Sequence, residues 1–213
     1  MRKLFAHEAG PNGIAYVYLA PFGDDLHLSD LYGWPSHRVD ALKVIFGHYP
    51  FGIDRELGRP GIYLTCLRET ASRLASCYFQ HVRGGFVGES SLLDYIENWK
   101  PLDFDNYTVR LLSGVGHDVP FGMLTMDHLR QAQHNLVNGF DAFGLFEELQ
   151  RSVGLFCEKT GMAPVELARE NAAAPDQIAE QLSADELSTV VRRNNFDDEL
   201  YALAKSEFRR RWG

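Results

Sequence analysis

The sequence predicts an α/β fold with a mostly parallel sheet, and three observations support this. Short runs rich in β-branched and aromatic residues alternate with amphipathic stretches along the chain. Residues 61–78 read as a β-rich strand, a polar turn and a helix with one apolar face, a unit typical of parallel sheets. The composition, 45% hydrophobic and 23% charged over 213 residues, is that of a single globular domain.

The strands are predicted from runs that glycine and proline interrupt. These runs cover residues 13–20, 41–46, 62–67 and 140–146. Residues 1–11 offer little pattern, and residues 22–40, rich in Gly, Asp, Pro and His, are predicted to form an irregular connection. The glycines and proline of 47–52 end the second strand, so His48 is expected in a loop.

Helices are predicted where apolar residues recur at helical spacing behind a capping residue. The predicted ranges are 70–82, 92–96, 105–112, 125–136, 147–160 and 196–212. Ser90 or Ser91 can cap the second of these, and residues 172–176 read as a linker. The last helix is expected to bury a stripe made of Phe196, Leu200, Leu203, Ala204 and Phe208.

The net charge and the hydropathy of the chain argue against several classes of function. A formal net charge of −8 argues against a surface shaped for nucleic acid or anionic membrane. No apolar run approaches the roughly 20 residues of a membrane helix, and no secretory signal is recognisable, so a cytoplasmic protein is expected. The three cysteines, Cys66, Cys77 and Cys157, lack metal-ligand spacing, so neither a disulfide framework nor a metal site is predicted.

Three groups of polar residues stand out as candidates for chemistry. Arg68 lies at a predicted strand end and Ser76 follows two helical turns later, where anions bind to open α/β sheets. His48 lies between glycines, and Asn106 and Arg110 are expected on one helix face at i and i+4. Each also has an ordinary interpretation: a surface ion pair, a small packing residue, a loop histidine, a helix cap and a solvated charge.

Taken in order, these residues lie in three runs that resemble the motifs of a known family. The motifs are GHYPFG at 47–52, LRETASRLASCY at 67–78 and DNYTVRLLSG at 105–114. They resemble the GHxPFG, RxPxxRxxSxY and DNxxTRxLxG motifs of sulfotransferases of the heparan-sulfate 2-O-sulfotransferase type. The resemblance continues through 132–136, 143–147 and 195–201, and it covers about residues 41–212.

The resemblance implies a P-loop NTPase-like, three-layer α/β/α fold with a helical C-terminal part. On this basis residues 1–213 form one sulfotransferase-like domain. Residues 1–40 are its divergent N-terminal part, residues 41–160 its core with a 3′-phosphate site, and residues 161–213 its helical C-terminal part.

The resemblance also implies roles for individual residues. Arg68 and Ser76 correspond to the residues that bind the 3′-phosphate of 3′-phosphoadenosine 5′-phosphosulfate (PAPS), and His48 corresponds to the proposed base. A guanidinium and a hydroxyl suit a phosphate, and a neutral imidazole can take a proton from an attacking hydroxyl. Arg73, Asn106 and Arg110 are further motif residues and further site candidates. The family requires no metal.

The chain departs from the family pattern in two places. Glu69 and Thr70 replace the usual Asp-Pro after Arg68. The family's PKTGGT-like loop, which holds the 5′-phosphosulfate, has only His7–Gly13 as a counterpart, and this run has no lysine and includes a proline. The sequence therefore suggests an N-terminus that is truncated or divergent. A truncated chain is expected to lack a central strand and to expose apolar surface.

Two functions remain open from the sequence. The first is PAPS-dependent transfer of a sulfuryl group to a hydroxyl of a carbohydrate or other small acceptor. The second is a catalytically inactive remnant that binds the nucleotide or oligomerises. A P-loop kinase is disfavoured because GxxxxGK[ST] does not occur. The expected partners are the nucleotide and the acceptor, with no nucleic acid or membrane, and a homo-oligomer remains open.

Overall fold

The chain folds as an α/β protein. The computed structural model describes residues 2–10, 13–18, 25–88, 90–164, 166 and 182–213. The strands of this part are β1 (Ile14–Tyr18), β2 (Leu26–His27), β3 (Val44–His48), β4 (Leu64–Leu67) and β5 (Ala142–Leu145). The helices before β5 are α1 (Arg2–Ala9), α2 (Leu28–Tyr32), α3 (Ser36–Asp40), α4 (Ile53–Glu56), α5 (Thr70–Arg83), α6 (Leu92–Trp99), α7 (Tyr107–Ser113) and α8 (Met126–Asn138). Those after it are α9 (Leu149–Thr160), α10 (Ala184–Arg193) and α11 (Asn195–Trp212).

The strands form two parallel sheets, where the sequence predicted one mostly parallel sheet. The first has the order β2-β1-β3, and the second pairs β4 with β5. All the registered strand pairs of the described residues are parallel, so the predicted direction is confirmed. The edges of β3 and β4 are not hydrogen-bonded to each other, which leaves a cavity between the two sheets.

The second predicted strand, at residues 41–46, corresponds to β3, which lies further along the chain. It runs from Val44 to His48, because the amides of Lys43 and Val44 both donate to the carbonyl oxygen of Gly13 at its start. The prediction that His48 lies in a loop was wrong, since it is the last strand residue. Gly47 allows this pairing, because a Cβ at that position would overlap the carbonyl oxygen of Val17 in β1.

Residues 22–40 and 1–11 contain short helices that the sequence patterns did not reveal. In the first region, the prediction of an irregular connection was wrong for α2 and α3. A capping box of His27 and Asp30 starts α2, and the burial of Leu28 and Leu31 holds it against β1. Such short helices depend on caps and packing more than on periodicity.

The longer helices match their predicted positions within a few residues. Ser91 is the cap of α6, since its hydroxyl accepts the amide of Asp94 at 3.2 Å. In α11 the expected stripe is confirmed at Leu200, Ala204 and Phe208, which are all fully buried. The predicted linker at 172–176 lies outside the described residues.

Helices cover both faces of β5, which is buried at all four positions. Phe143 and Leu145 join a cluster with residues of α7, α8 and α11. On the other face Gly144 approaches α9 so closely that a Cβ would overlap Ser152. The hydroxyl of Ser152 accepts the Leu145 amide at 2.9 Å, which fixes α9 against the strand. In the described part of the chain, no helix combines the length and apolarity needed to cross a membrane.

Candidate functional site

A cavity of about 1370 Å³ lies between the two sheets and contains most of the predicted site residues. Both edge strands line it, and at their carboxyl ends it is bordered by His48, Arg68, Arg73 and Ser76. The structure therefore brings together four of the six predicted residues. The carboxyl ends of parallel strands are also the usual ligand side of an α/β sheet.

Arg68 directly follows β4 and presents a guanidinium without an ion pair to another described residue. The group stacks on the Phe146 ring, with 4.7 Å from Cζ to the ring centroid. Its Nε is buried and has no hydrogen-bond partner. Desolvation lowers the pKa of Arg68, while the nearby carboxylates of Glu147 and Glu69 oppose this shift. A half-buried cation with a free donor is suited to an anionic ligand.

Two backbone amides at the start of the helix that follows Arg68 are already bonded within the chain. Glu69 is the N-cap of α5, and its carboxylate accepts the amides of Ala71 at 3.1 Å and Ser72 at 2.7 Å. An anion at this helix end would have to compete with the Glu69 carboxylate. Ser76 lies on the second turn of α5 and lines the cavity with Arg68. The candidate anion-binding groups here are therefore the side chains of Arg68 and Ser76.

His48 faces the same cavity from the end of β3. Its ring lies edge-on to Tyr18 and Tyr107, at centroid distances of 5.3 and 6.1 Å. His48 is exposed and lines the cavity. Desolvation lowers the pKa of His48 below 6.5, with Asp103 opposing and Arg73 reinforcing the shift. The imidazole is therefore neutral at pH 7 and can accept a proton.

Arg73 lines the cavity but is held by the protein. One terminal nitrogen donates to the Asp103 carbonyl at 2.8 Å, and the other pairs with the buried Asp197 carboxylate at 3.0 Å. This pair ties α5 to α11. Its Nε is buried without a partner, so one donor remains for a ligand.

Asn106 and Arg110 lie away from the cavity and serve the fold. Asn106 does not share a helix face with Arg110, because it precedes α7 in a left-handed conformation with φ of 47°. Its side-chain oxygen accepts the amides of Phe196 at 3.0 Å and Asp197 at 3.2 Å, which fixes the start of α11. Arg110 is fully buried, pairs with Asp105 and donates to backbone carbonyls of the following loop.

Cys77, His81 and Asp103 form a cluster that sequence reasoning missed, on the cavity wall beside Arg73. Their ligand atoms lie within 4.8 Å of one another. The His81 Nε2 lies 3.7 Å from the Cys77 sulfur and 3.6 Å from an Asp103 oxygen. These three residue types can hold a metal, although burial raises the pKa of the Cys77 thiol to about 12 and disfavours the thiolate. The i, i+4 spacing of Cys77 and His81 in α5 could have pointed to this pair, whereas Asp103 is distant in sequence and gave no signal.

The only sequence counterpart of a 5′-phosphosulfate loop offers little to an anion where it is described. His7 and Glu8 belong to the last turn of α1, and Glu8 borders the cavity. An acid at this position repels a phosphosulfate group.

Comparison of the chain with protein-family models, with curated proteins and with solved structures gave no match.

Proposed function

We propose that this chain is a sulfotransferase-like protein that binds PAPS or its product PAP at the carboxyl ends of β3 and β4. One observation carries the proposal: the half-buried Arg68 guanidinium lines a cavity with a buried Nε that has no partner, and Ser76 lines the same cavity. Arg68 and Ser76 would bind the 3′-phosphate. The proposal includes a P-loop NTPase-like, three-layer arrangement, which the parallel strands and the helices on both faces of β5 support.

In the transfer reaction His48 would act as the general base. A hydroxyl oxygen of a carbohydrate or other small acceptor attacks sulfur, and the new O–S bond forms as the bond from sulfur to the PAP oxygen breaks. PAP leaves with the electron pair, and the acceptor proton moves to the neutral imidazole. A positioned base of this kind contributes about 10²–10⁴-fold to the rate.

A second candidate is nucleotide binding without turnover, and the distribution of cations favours it. Sulfuryl transfer needs donors around the developing charge on the leaving group. Among the described lining residues, Lys43 and Arg59 lie at the amino ends of β3 and β4, and Arg73 already pairs with Asp197. Arg68 is then the main cation at the carboxyl ends. One cation of this kind suits binding better than catalysis.

Calorimetry with PAP and with adenosine 5′-phosphate tests the binding site. We expect Arg68→Ala to weaken PAP binding by about 10–100-fold, the cost of one charge-assisted hydrogen bond. Affinity for adenosine 5′-phosphate should change little, because that nucleotide lacks the 3′-phosphate. Arg130→Ala is the matched control, since Arg130 is exposed and pairs with the exposed Asp127. Equal PAP affinity in the wild type and Arg68→Ala would remove the basis of the assignment.

A transfer assay separates the two candidates. Radiolabelled PAPS is incubated with mixed glycan acceptors, and labelled product is counted for the wild type and His48→Gln. Turnover that is lost in His48→Gln with unchanged PAP affinity supports the transferase. PAP binding without turnover in the wild type supports the non-catalytic protein.

A further inference from the structure

Cys77, His81 and Asp103 bring a sulfur, a nitrogen and a carboxylate oxygen together on one wall of the cavity. Cys77 and His81 lie four residues apart in α5, so their side chains share a face of that helix. Asp103 lies in a short 3₁₀ helix, Leu102–Phe104, before α7. Arg73 donates to the Asp103 carbonyl oxygen at 2.8 Å, which fixes this short helix against α5. Three kinds of ligand atom that zinc accepts therefore converge from two elements of the fold.

The distances between these atoms fit ligands around one metal ion. The His81 Nε2 lies 3.7 Å from the Cys77 sulfur and 3.6 Å from an Asp103 oxygen. In a tetrahedral zinc site a nitrogen lies about 3.6 Å from a sulfur ligand and about 3.4 Å from an oxygen ligand. All three atoms lie within 4.8 Å of one another. One point therefore lies at most about 2.4 Å from each of them, close to zinc bond lengths of about 2.0–2.3 Å.

An ordinary hydrogen bond or ion pair accounts for these distances less well. A protonated histidine that pairs with a carboxylate lies about 2.7–2.9 Å from its oxygen, whereas the His81 nitrogen and the Asp103 oxygen are 3.6 Å apart. The same nitrogen also faces the Cys77 sulfur, although it carries at most one proton. A nitrogen that faces both atoms, with no short bond to either, is expected around a shared metal ion.

Contacts around the His81 ring fix its orientation. Its other nitrogen, Nδ1, lies 2.8 Å from the Tyr95 hydroxyl oxygen. When Nδ1–H donates to that oxygen, Nε2 keeps its lone pair and can bind a metal. The ring also lies edge-on to Phe86, Tyr95 and Phe104, at centroid distances of 6.0, 5.8 and 5.6 Å. Histidines that bind metals almost always have such an outer hydrogen-bond partner.

The cluster is open on the side of the cavity. All three residues line the cavity wall, and the side chains of His81 and Asp103 keep 12% and 29% of their surface exposed. Three protein ligands with a fourth position for water or a small ligand are typical of catalytic zinc sites. The combination of sulfur, nitrogen and oxygen favours zinc over magnesium or calcium, which take oxygen ligands.

We propose that Cys77, His81 and Asp103 bind one zinc ion through Sγ, Nε2 and a carboxylate oxygen, and that its fourth coordination position opens into the cavity. The thiol loses its proton to solvent as the Zn–S bond forms, so the thiolate and the carboxylate balance the charge of Zn²⁺. The raised pKa of the Cys77 thiol describes the metal-free chain, and a metal ion deprotonates a thiol that coordinates it. The site does not depend on nucleotide binding at Arg68.

Metal titrations of the purified protein after treatment with a chelator test this site. Calorimetry in two buffers of different protonation enthalpy should show one zinc ion bound per chain and one proton released. Cobalt(II), used in place of zinc, should give the near-ultraviolet charge-transfer band of a cobalt–thiolate bond.

Variants of the ligands and of their outer partner show which residues bind the ion. Cys77→Ser should remove the cobalt band and weaken zinc binding by more than about 100-fold, since a lost ligand costs more than a lost outer partner. Tyr95→Phe should weaken zinc binding by about 10–100-fold. Cys66→Ser is the matched control, because Cys66 is a free cysteine that lines the same cavity but lies outside the cluster.

Two results would overturn the proposal. One is a cobalt spectrum without the thiolate band, and the other is equal zinc affinity of Cys77→Ser and Cys66→Ser. If circular dichroism shows that Cys77→Ser does not fold, Asp103→Asn decides, because this partly exposed side chain should tolerate the change. Zinc affinity that is unchanged in Asp103→Asn would contradict the site. PAP binding measured on the same samples tests the nucleotide site separately, so the failure of one proposal is distinguished from the failure of the other.

Discussion

Replacing Arg110 by leucine should unfold the protein at much lower denaturant concentration without a direct effect on ligand binding. The Arg110 guanidinium is completely buried and pairs with the Asp105 carboxylate. It also donates to backbone carbonyl oxygens, among them those of Gly116 at 3.3 Å and Pro120 at 3.0 Å. Leucine fills much of the volume but leaves a buried carboxylate and several carbonyls without their donor.

The expected cost follows from these contacts. Removing one partner of a buried ion pair costs about 3–5 kcal/mol, because the other charge stays buried without compensation. Among the described residues, the Gly122 amide still donates to the Asp105 carboxylate at 2.8 Å and compensates for part of the loss. For a chain of this length the loss corresponds to a decrease in Tm of about 6–20 °C. A loss of about 3–5 kcal/mol is a large part of the free energy of unfolding of a protein, which is usually about 5–15 kcal/mol.

Urea denaturation followed by circular dichroism measures the loss. The matched control is Arg130→Leu, which removes an exposed arginine and should cost at most about 1 kcal/mol. PAP affinity of the Arg110→Leu variant is measured where it is still folded. If this variant unfolds like the control but no longer binds PAP, Arg110 is a ligand-binding residue and the structural role is wrong.

Three other variants test the site and the core. Glu69→Ala removes both a competing carboxylate and a helix cap. Calorimetry should therefore show tighter PAP binding, whereas urea denaturation should show a loss of about 0.5–2 kcal/mol in the free energy of unfolding. Weaker PAP binding would contradict this. His48 binds protons more weakly in the folded than in the unfolded chain, so its contribution to stability is present above pH 6.5 and is lost as the pH falls toward its folded pKa. His48→Gln should lose less stability below pH 6.5 than the wild type, and an NMR titration midpoint of His48 above 6.5 would rule this out. Ser152→Ala should cost about 1–3 kcal/mol, since it leaves the buried Leu145 amide without an acceptor, and an unchanged urea midpoint would argue against that contact.

The sequence patterns predicted the elements well where local periodicity decides the structure. Apolar runs identified four strands, and caps such as Ser91 identified helix starts. The patterns did not predict the roles of residues whose environment depends on contacts seen only in the fold. In the sequence Arg110 looks like a polar motif residue. Only the fold shows that it is buried and that it contacts Asp105 and the loop after α7. The Glu69 carboxylate at the start of α5 likewise reads as a surface charge until its two amide partners are seen.

The cavity between the sheets and the proposed nucleotide site are both formed by β3 and β4. His48 ends β3 and Arg68 follows β4, but no backbone ladder joins the two strands. Their separation is set by side-chain contacts such as that of Arg59 with Val39. Binding a phosphate at Arg68 tolerates a loose separation, whereas transfer to a hydroxyl held at His48 does not, since misplacement by about 1 Å can cost about 10²-fold in rate. Sulfuryl transfer should therefore depend on the separation of β3 and β4 more strongly than nucleotide binding does.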